Sequence, residues 1–347
     1  FSIIEDNHIH HINNMMELGG AEIAGIKMHA AIDVTMRRNH IHHCTMGIWC
    51  DWEAQGTRLS QNLLHDNQRP PFASVLKGGM MSQDIFVEVG HGPTLIDNNI
   101  MLSDASLRFA TEGVALVHNL ICGALTCVGG GTGPRYTPYH MPHRTEVMGF
   151  MTVLHGDDRF YNNIFVQKWP SDDIITMHDS DDGFDTENRA AGTWMFDEYP
   201  TYDEWISQFD FSKPADMAKL YGAHEGKLPV WIEGNAYLGG AKPSKKDVNA
   251  LISAVAREDV RVELVQKEDG YYLDTNVYEL IEGFKNRMID SDVLGKAFEP
   301  EERFENPDGT AIRFIDLTVT ILERIVVSMS SQDRLRGPKK RRKCFID

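Results

Sequence analysis

Two carboxylates hold matched places in two strand-like phrases of the chain. In Gly47-Ile-Trp-Cys-Asp-Trp52, alternation sends Ile48, Cys50 and Trp52 towards a core and turns Trp49 and Asp51 outward. In Asp84-Ile-Phe-Val-Glu-Val89 the same alternation buries Ile85, Val87 and Val89 and turns out Phe86 and Glu88. On neighbouring strands in one register, the carboxyls of Asp51 and Glu88 would stand one rung apart, about 5 Å. That separation suits double displacement at a glycosidic carbon, with one group as nucleophile and the other as acid/base. An inverting displacement needs a wider gap to seat a water. Glu22 falls near the same place one repeat before Asp51. Three stacked acids cannot all stay ionised cheaply, so one of them should have the raised pKa that a general acid requires. The competing reading is that these are solvated acids on an exposed sheet face.

Such a rung spacing needs strands that stack, and the chain repeats. The phrases Asn7-His-Ile, Asn39-His-Ile, Asn62-Leu-Leu, Asn99-Ile-Met, Asn119-Leu-Ile and Asn163-Ile-Phe each precede a short apolar run and a turn signal. Asn7-His-Ile-His-His11 returns whole as Asn39-His-Ile-His-His43. Amphipathic helices do not separate the runs, which excludes βαβ units. The reading expects an all-β chain folded as a right-handed parallel β-helix, a pectate-lyase-like solenoid, with a β-sandwich as the alternative. Aligned asparagines are expected to bond the backbone of neighbouring coils and to tolerate left-handed geometry. Gln68–Gln83, with two prolines and two glycines, reads as a loop that lengthens the step from Asp51 to Glu88.

The 51 acidic against 34 basic residues give a net charge of -17, which argues against a nucleic-acid partner. Residues 331–347 carry seven Lys/Arg and two Asp, or +5, so residues 1–330 carry -22. Three parts are expected: coils with the active site over 1–170, an acidic loop region with C-terminal strands and a hairpin over 171–314, and a disordered basic tail over 315–347. Short helices are expected near Tyr202–Phe209 and Tyr278–Arg287, and a hairpin from Val260–Val265 and Tyr271–Asp274. The chain opens mid-strand, and an N-terminal part is expected to be missing. No run is long and apolar enough for a membrane partner. Five cysteines read as reduced, in keeping with a cytoplasmic setting.

Several stretches resemble glycoside hydrolase family 120, the β-xylosidases. They are Gly25-Ile-Lys-Met-His-Ala-Ala31, Arg37-Arg-Asn-His-Ile-His-His-Cys-Thr45, Trp49-Cys-Asp-Trp-Glu-Ala-Gln-Gly-Thr-Arg58 and Val87-Glu-Val-Gly-His-Gly-Pro93. Thr137-Pro-Tyr-His-Met-Pro-His143, Gly156-Asp-Asp-Arg-Phe-Tyr-Asn-Asn-Ile164 and Ala297-Phe-Glu-Pro-Glu-Glu-Arg-Phe-Glu-Asn-Pro-Asp-Gly309 add to it. The resemblance covers roughly residues 1–314, as the C-terminal portion of a longer chain. It implies a retaining mechanism on xylooligosaccharides, with Asp51 as nucleophile, Glu88 as acid/base and Glu22 binding a substrate hydroxyl. It implies no cofactor, and a homo-oligomer. The absent N-terminal half, the long Gln68–Gln83 loop and the unmatched tail depart from it.

Trp49 offers apolar surface to a sugar, whereas Trp52 reads as core. Gln55 and His91 are candidates to bond hydroxyls. His29, His140 and His143 divide between lining the site and ordinary surface, the last two in a Pro-rich loop. His8, His10, His11, His40, His42 and His43 are dense enough to suggest metal, but their matched positions read as a ladder, and no metal is expected. A polysaccharide lyase would draw on Lys27, Arg37, Arg38 and Arg58 to neutralise a uronate. Another exo-glycosidase, or a non-catalytic carbohydrate-binding β-helix, is the remaining alternative.

Overall fold

Each recurring asparagine hydrogen-bonds to the next. The backbone N–H of Asn7 donates to Asn39 Oδ1 at 3.1 Å, Asn39 to Asn62 at 3.0 Å, and Asn62 to Asn99 at 2.9 Å. Asn99 continues to Asn119 at 2.9 Å, Asn119 to Asn163 at 3.0 Å, and Asn163 to Asn235 at 2.9 Å. The side-chain amides of Asn39, Asn62, Asn99, Asn119, Asn163 and Asn235 also donate to backbone carbonyls. The left-handed residue, however, is the one before each asparagine: Asp6, Arg38, Gln61, Asn98, His118, Asn162 and Gly234 all have positive φ. That kink frees the asparagine to reach along the stack.

The computed structural model describes residues 1–13, 22–68, 82–127, 136–170, 190–210, 212–213, 226–268 and 270–314. Seven strands form one parallel sheet: β1 (Ser2–Glu5), β4 (Val34–Arg37), β7 (Thr57–Ser60), β10 (Thr94–Asp97), β13 (Val114–Val117), β18 (Asp158–Tyr161) and β20 (Val230–Glu233). Eight form a second: β2 (His8–His10), β5 (His40–His42), β8 (Leu63–His65), β11 (Ile100–Met101), β14 (Leu120–Ile121), β19 (Ile164–Val166), β21 (Ala236–Leu238) and β22 (Leu251–Ile252). The third has five, in the order β15 (Ala124–Cys127), β12 (Ala105–Ala110), β9 (Ile85–Glu88), β6 (Ile48–Asp51) and β3 (Ile26–His29). One buried cluster draws on all three sheets, including Met36, Ile41, Ile48, Ile85, Leu107, Leu116 and Phe160.

The expected single right-handed parallel β-helix is corrected by this arrangement. The strands hydrogen-bond as separate sheets because left-handed corner residues such as Arg38, His43 and Asp66 end each run of pairing. A closed solenoid is not defined among the described residues. Two antiparallel ribbons further depart from the repeat: β16 (Tyr136–His140) with β17 (Val147–Thr152), and β23 (Val262–Lys267) with β24 (Gly270–Thr275). What stands is a mostly-β chain of parallel sheets with few, short helices.

The second ribbon falls where the sequence places a hairpin. The first occupies the stretch read as a Pro-rich loop. Helix α1 (Tyr202–Ile206) starts in a capping box, with Thr201 Oγ1 accepting from the Glu204 N–H and Glu204 from the Thr201 N–H. Helix α2 (Val277–Ile281) is shorter than the expected Tyr278–Arg287, and α3 (Ser291–Leu294) is capped by Asp290. Most of the Gln68–Gln83 loop, the acidic stretch from Ser171 and the basic tail lie outside the described residues. Among the described residues no helix is long and apolar enough to cross a membrane. Cys44, Cys50, Cys122 and Cys127 are free thiols, pushed up to about 11 or 12 by burial.

Candidate active site

The five-stranded sheet carries the paired carboxylates. Ile48 and Cys50 of β6, and Ile85 and Val87 of β9, enter the shared core, so Trp49, Asp51, Phe86 and Glu88 share the opposite face. Trp49 pairs with Phe86 and Cys50 with Val87, which sets Asp51 and Glu88 on adjacent rungs. On the other side of β6, Lys27 pairs with Trp49 and His29 with Asp51. On the far side of β9, Arg108 pairs with Phe86 and Ala110 with Glu88. The face thus reads as two columns, Lys27, Trp49, Phe86 and Arg108 beside His29, Asp51, Glu88 and Ala110.

Asp51 is 5% exposed and Glu88 9%. Each carboxylate has a specific donor. The Trp49 indole N–H donates to Glu88 Oε2 at 3.0 Å. The Lys27 ammonium donates to Asp51 Oδ2, lies 2.5 Å from Glu22 Oε2, and sits 4.4 Å from the Trp49 ring centroid. Burial works against charge on Lys27, but its bonds and attraction to Asp51 and Glu22 outweigh that and raise its pKa. The three-acid stack therefore does not form. The rung before Asp51 belongs to His29, and Glu22 lies ahead of β3 with a side chain 72% exposed.

The two tryptophans exchange their expected places. Trp49 is buried against Met46, Phe86 and Ala110, below the carboxylates rather than as an open sugar platform. Trp52 is not core: it sits at a left-handed corner after β6, half-buried, its ring stacked on exposed His29 at 6.2 Å. The strand ends at Asp51, so alternation no longer governs Trp52.

The remaining expected residues are held in other networks. Buried His91 turns Nδ1 to Glu112 Oε1 at 2.6 Å and Nε2 to the Thr137 carbonyl at 3.1 Å. Burial opposes its charge, but Glu112 prevails and raises its pKa. Two acceptors suit an imidazolium. Gln55 accepts from the His140 N–H at 2.9 Å and donates to the His140 carbonyl at 3.0 Å and to Glu302 Oε2 at 2.6 Å. His143 bonds Asp33 at 3.0 Å and Glu305 at 3.3 Å. Burial pushes Glu302 up to about 7, against the Gln55 bond. Asp33, His143 and Glu302 bring ligand atoms within 4.8 Å of one another, as do His91, Glu112 and Glu299.

Lys27 is the residue whose place the sequence reading missed, although it was weighed as a spare cation. Its spacing of two from His29 was the available signal. Arg108, fully buried on the same face, carried no such mark. The cations a lyase would need are engaged: Lys27 as above, Arg37 and Arg38 with Glu5, and Arg58 with Asp97.

Fold and face together define a class: a mostly-β scaffold of stacked parallel strands that presents two buried carboxylates on neighbouring rungs beside a lysine and a tryptophan. The particular likeness is to a solved structure described as the complex structure of XylC with xylose, at 33% sequence identity and a TM-score of 0.71. The match covers 90% of this chain and 43% of that chain, so this chain spans less than half the length of its neighbour. No protein-family model and no curated protein matches the sequence.

Proposed function

We propose that the face bearing Asp51 and Glu88 is the catalytic surface of a xylose-acting glycoside hydrolase. The observation that carries this reading is the placing of two buried carboxylates on adjacent rungs, each with its own donor. Likeness to a chain solved with xylose supports the choice of sugar. In the finer form of the proposal, the chain is a β-xylosidase of glycoside hydrolase family 120. It releases xylose from the non-reducing end of β-1,4-xylooligosaccharides with retention.

In that mechanism Asp51 attacks the anomeric carbon and Glu88 protonates the departing oxygen. Glu88 then takes a proton from water, which opens the glycosyl-aspartate bond and releases xylose. Lys27 holds Asp51 by its Oδ2, in place for the attack. The Trp49 N–H fixes the Glu88 carboxyl group against the same floor. Glu22 and His29, both exposed at the edge of this face, are placed to meet sugar hydroxyls. Adjacent rungs favour this double displacement over an inverting route, which needs room for a water.

The test is release of p-nitrophenol from its β-xyloside by the intact chain and by Asp51→Ala supplied with azide. Turnover in the first, loss in the second, and a glycosyl azide of inverted configuration support Asp51 as nucleophile. A folded chain with neither turnover nor measurable xylose binding overturns the reading.

A further inference from the structure

We propose that the histidine column on the eight-stranded sheet binds one divalent transition-metal cation, of zinc or nickel chemistry, through ring nitrogens of His8, His40 and His42. These residues lie away from the carboxylate face and have no part in the proposed reaction. Strands β2 and β5 pair His8 with His40 and His10 with His42, and β8 brings His65 beside His42. Ile9, Ile41 and Leu64 between them point into the core. The imidazoles therefore share the other face.

Stacking alone does not account for the contacts between them. His8 stacks on His40 at 4.7 Å and His42 on His65 at 4.8 Å. The nitrogens meet along the diagonals: Nε2 of His8 lies 2.7 Å from Nε2 of His42, and Nε2 of His40 lies 2.7 Å from Nε2 of His65. Each diagonal pair can share only one proton, so each leaves a bare nitrogen facing a donor. Asp66 fixes one of these assignments. Its carboxylate accepts from His65 Nδ1 at 2.6 Å, which leaves Nε2 of His65 as the bare nitrogen that accepts from His40 Nε2. His40 Nδ1 is then bare too, and it is buried with no hydrogen-bond partner among the described residues. Burial holds His40 and His42 neutral, pushing them down to about 2 and about 3.

Neutral imidazole nitrogens gathered in this way are the donor set of zinc, nickel and copper rather than of calcium or magnesium. One ligand atom from each of His8, His40 and His42 lies within 4.8 Å of the others. Tetrahedral zinc at about 2.0–2.1 Å from nitrogen asks for nitrogens about 3.3 Å apart. Rotation of the exposed His8 ring supplies the small opening required. His8 faces solvent and gives the entry path and a place for a water ligand. At the other end Tyr271 of β24 stands edge-on to His40 at 4.7 Å and closes the site. Binding moves the proton shared by His8 and His42 to the other nitrogen of its own ring, so the neutral pair loses no proton, and no electron is transferred.

Zinc chloride is titrated calorimetrically into the untagged full chain after chelator dialysis, in two buffers of different ionisation enthalpy. One equivalent, an apparent enthalpy that does not depend on the buffer and a raised thermal midpoint are expected, with affinity falling at least roughly tenfold in His8→Gln and in His42→Gln. His8 is exposed, so His8→Gln keeps the fold, which circular dichroism verifies. X-ray absorption should show nitrogen neighbours at about 2.0–2.1 Å. No binding to a folded chain, or binding that both variants leave unchanged, overturns the site and leaves a hydrogen-bonded ladder.

Discussion

On the eight-stranded sheet, His8, His10, His40, His42 and His65 repeat one residue type on successive strands, and each ring meets its own kind. On the five-stranded sheet no rung repeats the last: Lys27, Trp49, Phe86 and Arg108 stand beside His29, Asp51, Glu88 and Ala110. Both faces come from the same alternation over the same core. In the first, like groups are stacked and burial keeps His40 and His42 neutral. In the second, buried carboxylates are kept beside a lysine and an indole donor. Repetition serves the scaffold, and its breakdown marks the place where chemistry can occur.

The sharpest test of that contrast is Asp51→Asn. Turnover of an aryl xyloside should fall about 10⁴-fold, the order expected for loss of a nucleophile, with the unfolding midpoint nearly unmoved. A large loss of stability instead would make Asp51 a scaffold residue and erase the distinction. Asn99→Ala should do the reverse. Asn99 accepts from Asn62 and donates to Leu59 and Asn119, all buried, so its loss should cost about 3 kcal/mol in chemical denaturation. Asn7→Ala, at the exposed end, should cost about 1 kcal/mol.

Lys27→Met probes the seam between the two behaviours. It leaves the Asp51 carboxylate without its cation, and stability should fall by about 2 kcal/mol. That is below the 3–5 typical of a fully buried pair, because Lys27 keeps a solvent-facing side. Activity should fall as well, which separates it from the asparagine variants. The last test is His40→Leu, measured with chelator present. Folded His40 is neutral, whereas the unfolded ring takes up a proton below about 6.5. The unfolded state then binds more protons, so stability drops as pH falls below about 6.5, by at most about 1.4 kcal/mol per pH unit. Leucine matches Leu63 on the next rung and removes this slope. An unchanged slope in the variant would assign the acid sensitivity elsewhere.

What could be read from the sequence was what is local and periodic. Ile48 and Cys50 matched to Ile85 and Val87 carried the register, and with it the neighbourhood of Asp51 and Glu88. The asparagine phrase carried the stacking. The separate sheets were missed because the left-handed corners fall on residues as varied as Asp6, Arg38 and His118, which no pattern marks. Ribbon β16–β17 was missed because Pro138 inside β16 argues against a strand, while the pairing of Tyr136 with Thr152 supplies one. The surroundings of Gln55 depend on Glu302, 247 residues away, and such a contact leaves no local trace.

Gln55 offers His140 one acceptor and one donor, in the way a neighbouring strand would. A single side chain thus imitates a stretch of backbone and, together with His91 on the Thr137 carbonyl, ties a ribbon to the scaffold without lengthening any sheet. Gln55 takes hold beside the turn, where His140 pairs with Val147, and asks there for only one N–H and one carbonyl. Away from these grips the ribbon pairs with itself, so the ground it shades can be reshaped while the rungs beneath keep their count and their register.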